Sequence, residues 1–255
     1  FELMIQQSKF GEAGKKVVVV EFLTCIELSI FALTDGENYV LLPEAKDYKR
    51  VGEGDTGLNT GGMGAVSPVP FVNESFLEKV RTRIIEPTLA GLKKEKLIYK
   101  GFIFLGLMNR DGEPQMIEYN CRLGDPETEV VVPRIKNDLV EMLLATSQQR
   151  IHEIEVQTDE RSTVTVVAVS DGYPGDYEKG KTITGLAGEA LEGSIIFQSG
   201  TVAEGDTVVT NGGRVLAVTS FGDNITEAAE QSNYMLEQDY FEGMYYRNDI
   251  GYEFR

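Results

Sequence analysis

From Gln115 to Glu129 the chain reads QMIEYNCRLGDPETE, and its polar residues are spaced for chemistry. In an extended strand successive side chains point to opposite faces. Met116, Glu118, Asn120 and Arg122 are therefore expected on one face and Ile117, Tyr119 and Cys121 on the other. A carboxylate and a side-chain amide two residues apart can share one hard cation, Mg²⁺ or Mn²⁺, which keeps several waters and takes further oxygens from a substrate phosphate. Arg122, roughly 7 Å further along such a strand, is placed for a second anionic group. The solvated face of an edge strand would carry the same pattern. Asp125, Glu127 and Glu129 follow around Pro126, as three carboxylates suited either to a bound amine or to the first turn of a helix.

A second unusual stretch, GEGDTGLNTGGMG, places six glycines in the thirteen residues from Gly52 to Gly64. Gly52, Gly54 and Gly57 spell G-x-G-x-x-G, but a dinucleotide fingerprint requires a helix directly afterwards. The residues after Gly57, LNTGGMGAVSPVP, have no helical period, so that reading is set aside. Upstream, VVVVEFLTCIELS puts Glu21 at the end of an apolar strand and Glu27 at the start of the next. Backbone groups of the intervening linker can bind a planar base while a carboxylate accepts from ribose hydroxyls, although glutamate at a strand end is also ordinary. His152, the single histidine, falls in a linker-like stretch, and GYPGDYEKG (172–180) reads as a turn cluster.

The chain has 255 residues, 42% of them hydrophobic and 25% charged, enough for one good core or two modest ones. Its net charge of −17 repels polyanions, so neither nucleic acid nor an anionic membrane is an expected partner. An anionic substrate then needs a divalent metal or a local basic cluster, and Lys46, Lys49, Arg50 and Arg122 are the candidates. The longest apolar runs, KVVVVEFL and GFIFLGLM, are strand-length and too short to span a bilayer. With no signal segment at its start, the chain is expected to be cytoplasmic, and Cys25 and Cys121 to be free thiols.

The elements that must position these residues follow from periodicity and turn signals. A helix is expected over FELMIQQSKFGEAG, a buried strand over VVVVEFL, and a hairpin joining IELSIFAL to YVLLP through TDGEN. Asn73 is a plausible N-cap for a helix that presents Leu77, Val80 and Ile84 on one face and is bent or ended by Pro87. A second hairpin joins GFIFLGLM to QMIEYNCR, and NDLVEMLLATS closes the first region as a helix. The polar stretch 148–161 is read as a domain boundary. Beyond it, STVTVVAVS, SIIFQSG, DTVVTN and GRVLAVTS are short strands and NITEAAEQSNYMLEQ is a late helix. The expected class is α+β: residues 1–150 as one domain and 151–255 as a small, mostly antiparallel one.

Taken together, EGDTGLNTGGMGAVSPVP, IEYNCRLGDPETE, AKDYKR, GYPGDYEKG, TNGGRVLAVT and YRNDIGY resemble, in order and along nearly the whole chain, phosphoribosylamine-glycine ligases of the ATP-grasp superfamily. The resemblance implies an ATP-grasp domain followed by the small domain, and a reaction joining glycine to 5-phosphoribosylamine with ATP and Mg²⁺ or Mn²⁺. It gives Glu118 and Asn120 as metal ligands, Glu21, Phe22, Leu23 and Glu27 as the nucleotide segment, and Arg122 and Asp125 as catalytic residues. Asp47, Lys49, Arg50, Asn59, Thr60, Gly61, Gly62 and Glu127 would bind the glycine and the amino-sugar. The glycine loop then becomes a row of backbone N–H groups without Cβ atoms, able to lie close against an anion. The resemblance further implies a monomer or weak dimer whose partners are small molecules. It also implies that the family's N-terminal portion and part of its lid precede Phe1, leaving this chain with little activity alone. Alternatives are a non-catalytic nucleotide- or metal-binding module and an ATP-grasp enzyme acting on another acid. Cys25 stands where the family has glycine; a positive φ there would cost on the order of 1 kcal/mol.

Overall fold

The computed structural model of the chain describes residues 2–7, 11–19, 21–186, 191–238 and 240–255. Phe1 and residues 8–10 of the expected first helix, and Val20 of the expected first strand, lie outside the described residues. In the first hairpin, strand β1 (Ile26–Thr34) pairs antiparallel with β2 (Tyr39–Leu41). Its turn closes because Asp35 Oδ1 accepts from the amides of Glu37 and Asn38 at 2.9 and 2.7 Å. Four short strands occupy the glycine-rich region: β3 (Lys46–Asp47), β4 (Arg50–Gly52), β5 (Thr56–Asn59) and β6 (Gly64–Ser67). Helix α1 (Glu74–Val80) starts where Asn73 Oδ1 caps the Phe76 amide at 2.9 Å. A π turn over Arg81–Ile85 carries it into α2 (Glu86–Lys94), so the irregularity falls just before Pro87, which has no N–H to donate backwards.

Strands β7 (Gly101–Arg110) and β8 (Glu113–Asn120) form the second hairpin. Asp111 and Gly112 both take positive φ in its turn, as a two-residue hairpin loop requires. Helices α3 (Thr128–Val131) and α4 (Leu139–Ser147) come next along the chain, the latter capped by Asp138. The later part contributes β9 (Ser162–Val169), β10 (Thr182–Ile183), β11 (Ser194–Gln198), β12 (Thr201–Glu204), β13 (Thr207–Thr210), β14 (Arg214–Gly222) and α5 (Ile225–Gln238).

A four-stranded sheet has the order β2-β1-β7-β8, and a five-stranded one the order β11-β14-β9-β6-β3. The five-stranded sheet takes two strands from before residue 150 and three from after it. All registered strand pairs are antiparallel. One face of the four-stranded sheet buries Leu28, Ile30, Leu105 and Leu107 against Val80, Ile85 and Leu89 of the α1–α2 region. Its other face buries Phe31, Leu33 and Phe104 with Val130, Val131 and Met142. A third core packs α5 on the five-stranded sheet through Val166, Val218, Ala228 and Leu236.

Two sequence expectations fail near the start. Among the described residues, the expected helix reduces to a π turn at Glu2–Gln6 and a 3₁₀ turn at Gly11–Lys15, where Gly11 takes φ +55°. The apolar run after it forms no strand: residues 16–19 and 21–24 lack any ladder, and Val18 and Phe22 are each 88% exposed. No described strand lies alongside to pair with it, so β-forming composition alone does not make a strand there.

Candidate active site

The site begins with a change in polarity along one sheet face. The face of β1 that carries Phe31 and Leu33 in the core carries Ser29 and Glu27 at its other end, by simple alternation. Opposite these, β7 offers Gly106 to Ser29 and Met108 to Glu27. Ala45 then bridges to Ser29 through two backbone bonds of 2.7 and 3.0 Å, so the chain crosses this polar end and brings Lys46, Asp47 and Lys49 over Glu27. The result is a cleft of about 450 Å³. Seven of the expected residues line it: Phe22, Leu23, Glu27, Asp47, Lys49, Arg50 and Asn59.

Charge is concentrated there. Lys49 forms an ion pair with Glu27. Burial works against the Lys49 ammonium, but Asp47, Glu27 and Glu118 outweigh it and raise its pKa, so it stays protonated. Burial, then the neighbouring Glu127, pushes the Asp47 carboxyl well above the usual aspartate value, while Lys49 and Lys46 oppose the shift. Glu127 is itself 3% exposed and accepts from Ser29 Oγ at 2.9 Å, and burial raises its pKa as well. Glu127 folds back so closely that a Cβ on Gly124 would collide with its carboxylate, which is why glycine precedes this turn.

Glu118 and Asn120 share the polar face as expected, with Asn120 Nδ2 donating to Glu118 Oε1 at 3.2 Å. Met116 departs from the expected alternation. Gly106 pairs with Glu118 but Leu107 pairs with Met116, leaving Ile117 as a bulge. The bulge turns Met116 to the α1–α2 core, and Tyr119 joins that side, its hydroxyl 2.9 Å from Thr88 Oγ1. Strand β8 ends at Asn120, so Arg122 lies beyond it, donating to the Leu123 carbonyl at 2.8 Å with its guanidinium 5.8 Å from the Phe104 ring. Among the described residues no three His, Cys, Asp or Glu side chains cluster as a metal cage. A carboxylate–amide pair suits a hard cation that retains water and shares phosphate oxygens, and the chain's donors fit that type.

The glycine-rich region is a hairpin clamped from the later part of the chain. Its amides do not form an open anion cradle: Gly54 N donates to Asp249 Oδ2 (2.7 Å), Gly61 N to the Tyr173 hydroxyl (2.9 Å) and Gly62 N to Thr60 Oγ1 (3.0 Å). Thr60 Oγ1 in turn donates to the Lys49 carbonyl at 2.9 Å. The glycines answer to close approach instead. Gly62 sits at φ +120°, where a Cβ would strike the Pro126 ring, and a Cβ on Gly61 would come 3.0 Å from the Arg214 guanidinium. Arg214 grips both Asp125 carboxylate oxygens at 2.7 and 2.9 Å. Arg247, fully buried, holds Asp249 with two bonds of 2.8 Å, Asp55 at 2.8 Å and the Arg50 carbonyl at 3.0 Å.

Glu21 does not line the cleft and lies 3.5 Å from Arg110. Cys25 lines it without a positive φ, so the strain anticipated at that position is absent. Sequence reasoning assigned no role to Tyr252 and Glu253, yet both line the cleft. Glu253 lies 2.8 Å from Lys46 Nζ and accepts from the Tyr48 hydroxyl at 2.7 Å. The stretch YRNDIGY was recognisable as a segment, but nothing in its residues pointed to a partner two hundred positions away.

The comparisons place the chain, with this polar sheet face crossed by a lysine-bearing segment, in the ATP-grasp class. Urea carboxylase of Kluyveromyces lactis, at 16% identity, shares the fold with a TM-score of 0.62 over 90% of this chain and 19% of that one. Residues 1–128 match the model of the phosphoribosylglycinamide synthetase ATP-grasp (A) domain and residues 163–253 that of the C domain. The chain belongs to the phosphoribosylglycinamide synthetase family. It is 44% identical over 250 residues to phosphoribosylamine–glycine ligase of Vibrio cholerae and 46% identical over 243 residues to that of Chlorobaculum tepidum. These alignments cover 98% and 95% of this chain but 58% and 57% of the relatives, so the chain spans somewhat over half their length. The crystal structure of phosphoribosylamine–glycine ligase from Thermotoga maritima superposes with a TM-score of 0.84 at 40% identity, covering 98% of this chain and 61% of that one.

Proposed function

We propose that this chain carries the nucleotide and acceptor sites of a cytoplasmic, Mg²⁺- or Mn²⁺-dependent ligase that joins glycine to 5-phosphoribosylamine, giving glycinamide ribonucleotide, ADP and phosphate. One observation carries the reading: a single cleft gathers the apolar Phe22–Leu23 segment, Glu27, Lys49, Arg50 and Asn59 beside the Glu118–Asn120 pair. Phe22 and Leu23 would cover the base, and Glu27 would accept from the ribose. Lys49 and Arg50 would face the phosphates, and binding would draw Lys49 from its ion pair with Glu27. A divalent cation held by Glu118 and Asn120 would neutralise phosphoryl oxygens.

In this chemistry the glycine carboxylate attacks the γ-phosphoryl group, and the amine of the sugar then displaces phosphate from the acyl carbon. Such steps depend on positioning and charge neutralisation, which is what the residues supply, and need no enzyme nucleophile. Glu127, whose pKa burial raises, and Asp47 would order the acceptor end. Arg122, exposed beyond β8, would meet the second anionic group. We propose a monomer or weak dimer acting on small molecules. No helix among the described residues is long and apolar enough to cross a membrane.

The test is ADP formation from ATP with Mg²⁺, glycine and phosphoribosylamine, read beside calorimetric binding of each, so that a silent turnover assay still reports on the site. ADP release requiring both acceptors, or binding of both that is lost in Lys49→Met, is the expected result. Use of a different acid in place of glycine, or binding indifferent to Lys49, would overturn the proposal.

A further inference from the structure

The resemblance gives Asp125 as a catalytic residue; in the folded chain its side chain is 62% exposed and both carboxylate oxygens are engaged by one partner. Both accept from the Arg214 guanidinium in a forked pair, at 2.7 Å through Nη1 and 2.9 Å through Nη2. The same Nη1 donates to the Gly61 carbonyl at 2.9 Å and approaches the Asp125 carbonyl at 3.3 Å. Arg214 stands at the first position of β14, 153 residues from Gly61 in sequence, and only about a fifth of its side chain is exposed. The Gly61 amide is held from the same region, by the Tyr173 hydroxyl. A Cβ on Gly213 would collide with the Tyr173 ring, so the two holding residues are packed together through Arg214's own neighbour. Glu129, on the turn after Asp125, has a buried Oε2 without a hydrogen-bond partner in the structure. Arg214 also draws the pKa of that carboxyl down, against burial and Asp125, which raise it.

We infer that Arg214 is a positioning residue through which the C-terminal region locks the Gly61–Gly62 turn against the Asp125–Pro126 turn and so sets the acceptor end of the cleft. The inference rests on the ligase reading for what the turns bind, but not for the clamp itself. Arg214 acts through Asp125 and Gly61. Asp125 anchors the loop through the forked pair, while its exposed oxygens keep further acceptor capacity. Lysine cannot replace this function fully, because an ammonium cannot reach two carboxylate oxygens and a carbonyl in one plane.

The experiment compares the parent with Arg214→Met, Arg214→Lys and Asp125→Asn in hydrogen exchange of the peptides covering 58–64, with thermal melting as a check on folding. Turnover is read in parallel. Loss of the fork is expected to speed exchange over 58–64 by about tenfold or more in Arg214→Met, with a smaller increase in Arg214→Lys, while the β7–β8 hairpin exchanges as before. In turnover, KM for the acceptors rises in Arg214→Met and KM for ATP does not. Asp125→Asn gives a milder version of the Arg214→Met effects, since Gly61 keeps its bond to Arg214. If Arg214→Met does not fold, Arg214→Lys is read in the same way. Unchanged exchange over 58–64 in the folded Arg214 variants would overturn the clamp. So would Asp125→Asn abolishing turnover with that exchange unchanged, since Asp125 would then act directly. A parent that binds neither glycine nor phosphoribosylamine, yet whose loop is released by Arg214→Met, would overturn the ligase reading and leave the clamp standing.

Discussion

Two segments that line the same cleft are held in opposite ways. The run from Lys16 to Cys25 is rich in valine, the most strand-prone kind of residue, yet its described residues form no strand ladder and leave Val18 and Phe22 almost wholly exposed. The stretch from Arg50 to Gly64 is rich in glycine, the costliest residue to order, yet it is fixed by Arg247, Arg214, Tyr173 and Asp249. Order here follows from available partners rather than from intrinsic propensity. A cleft with one loosely held wall and one clamped wall can admit a ligand on the first side and orient it against the second.

The strongest way to break the contrast is to remove the buried anchor of the clamped wall. Arg247→Met removes the buried common partner of Asp55 and Asp249, which are 37% and 19% exposed, and is expected to destabilise the protein by about 3 kcal/mol in a denaturant melt. Next comes Gly62→Ala, which adds a Cβ at φ +120° against Pro126 and should cost about 1–3 kcal/mol by the same measurement. The Arg214 variants are expected to loosen the turn at a smaller cost in stability, which places them below both.

Asp47 sharpens the comparison through pH. Its folded-state pKa is raised from 3.8 to about 7, so the folded state binds a proton that the unfolded state releases. The stability it contributes is complete below the unfolded value and is lost as pH rises through that window. The parent should therefore lose on the order of 1 kcal/mol per pH unit within the window relative to Asp47→Asn, in paired melts between pH 4 and pH 7. Smallest of all, Phe22→Ser in the loosely held wall should change stability by no more than about 0.5 kcal/mol, while weakening nucleotide binding.

Both hairpins, the Asn73 cap and the later strands β9, β11, β13 and β14 were legible because each rests on local signals: alternation, Asp-Gly turns and a capping side chain. The Glu118–Asn120 pair was legible for the same reason. The bulge at Ile117 was not, because register is decided by β7 across the hairpin rather than by β8 itself. The glycine loop was legible as special but not in its cause. Six glycines suggested open amides, whereas the amides of Gly54, Gly61 and Gly62 are taken and the missing Cβ atoms make room for Pro126 and Arg214. Tyr252, Glu253, Arg214 and Arg247 escaped notice because their roles are contacts across one to two hundred residues, which no local pattern encodes.

The central claim is that the polar end of the four-stranded sheet holds a metal-bound nucleotide beneath Lys49. Calorimetric titration of the chain with ATP, with and without Mg²⁺, beside Glu118→Gln tests it most directly. The account predicts binding that requires the metal and falls at least about tenfold in Glu118→Gln, with the melting temperature unchanged. Binding that is the same without Mg²⁺, or the same in Glu118→Gln, would contradict it.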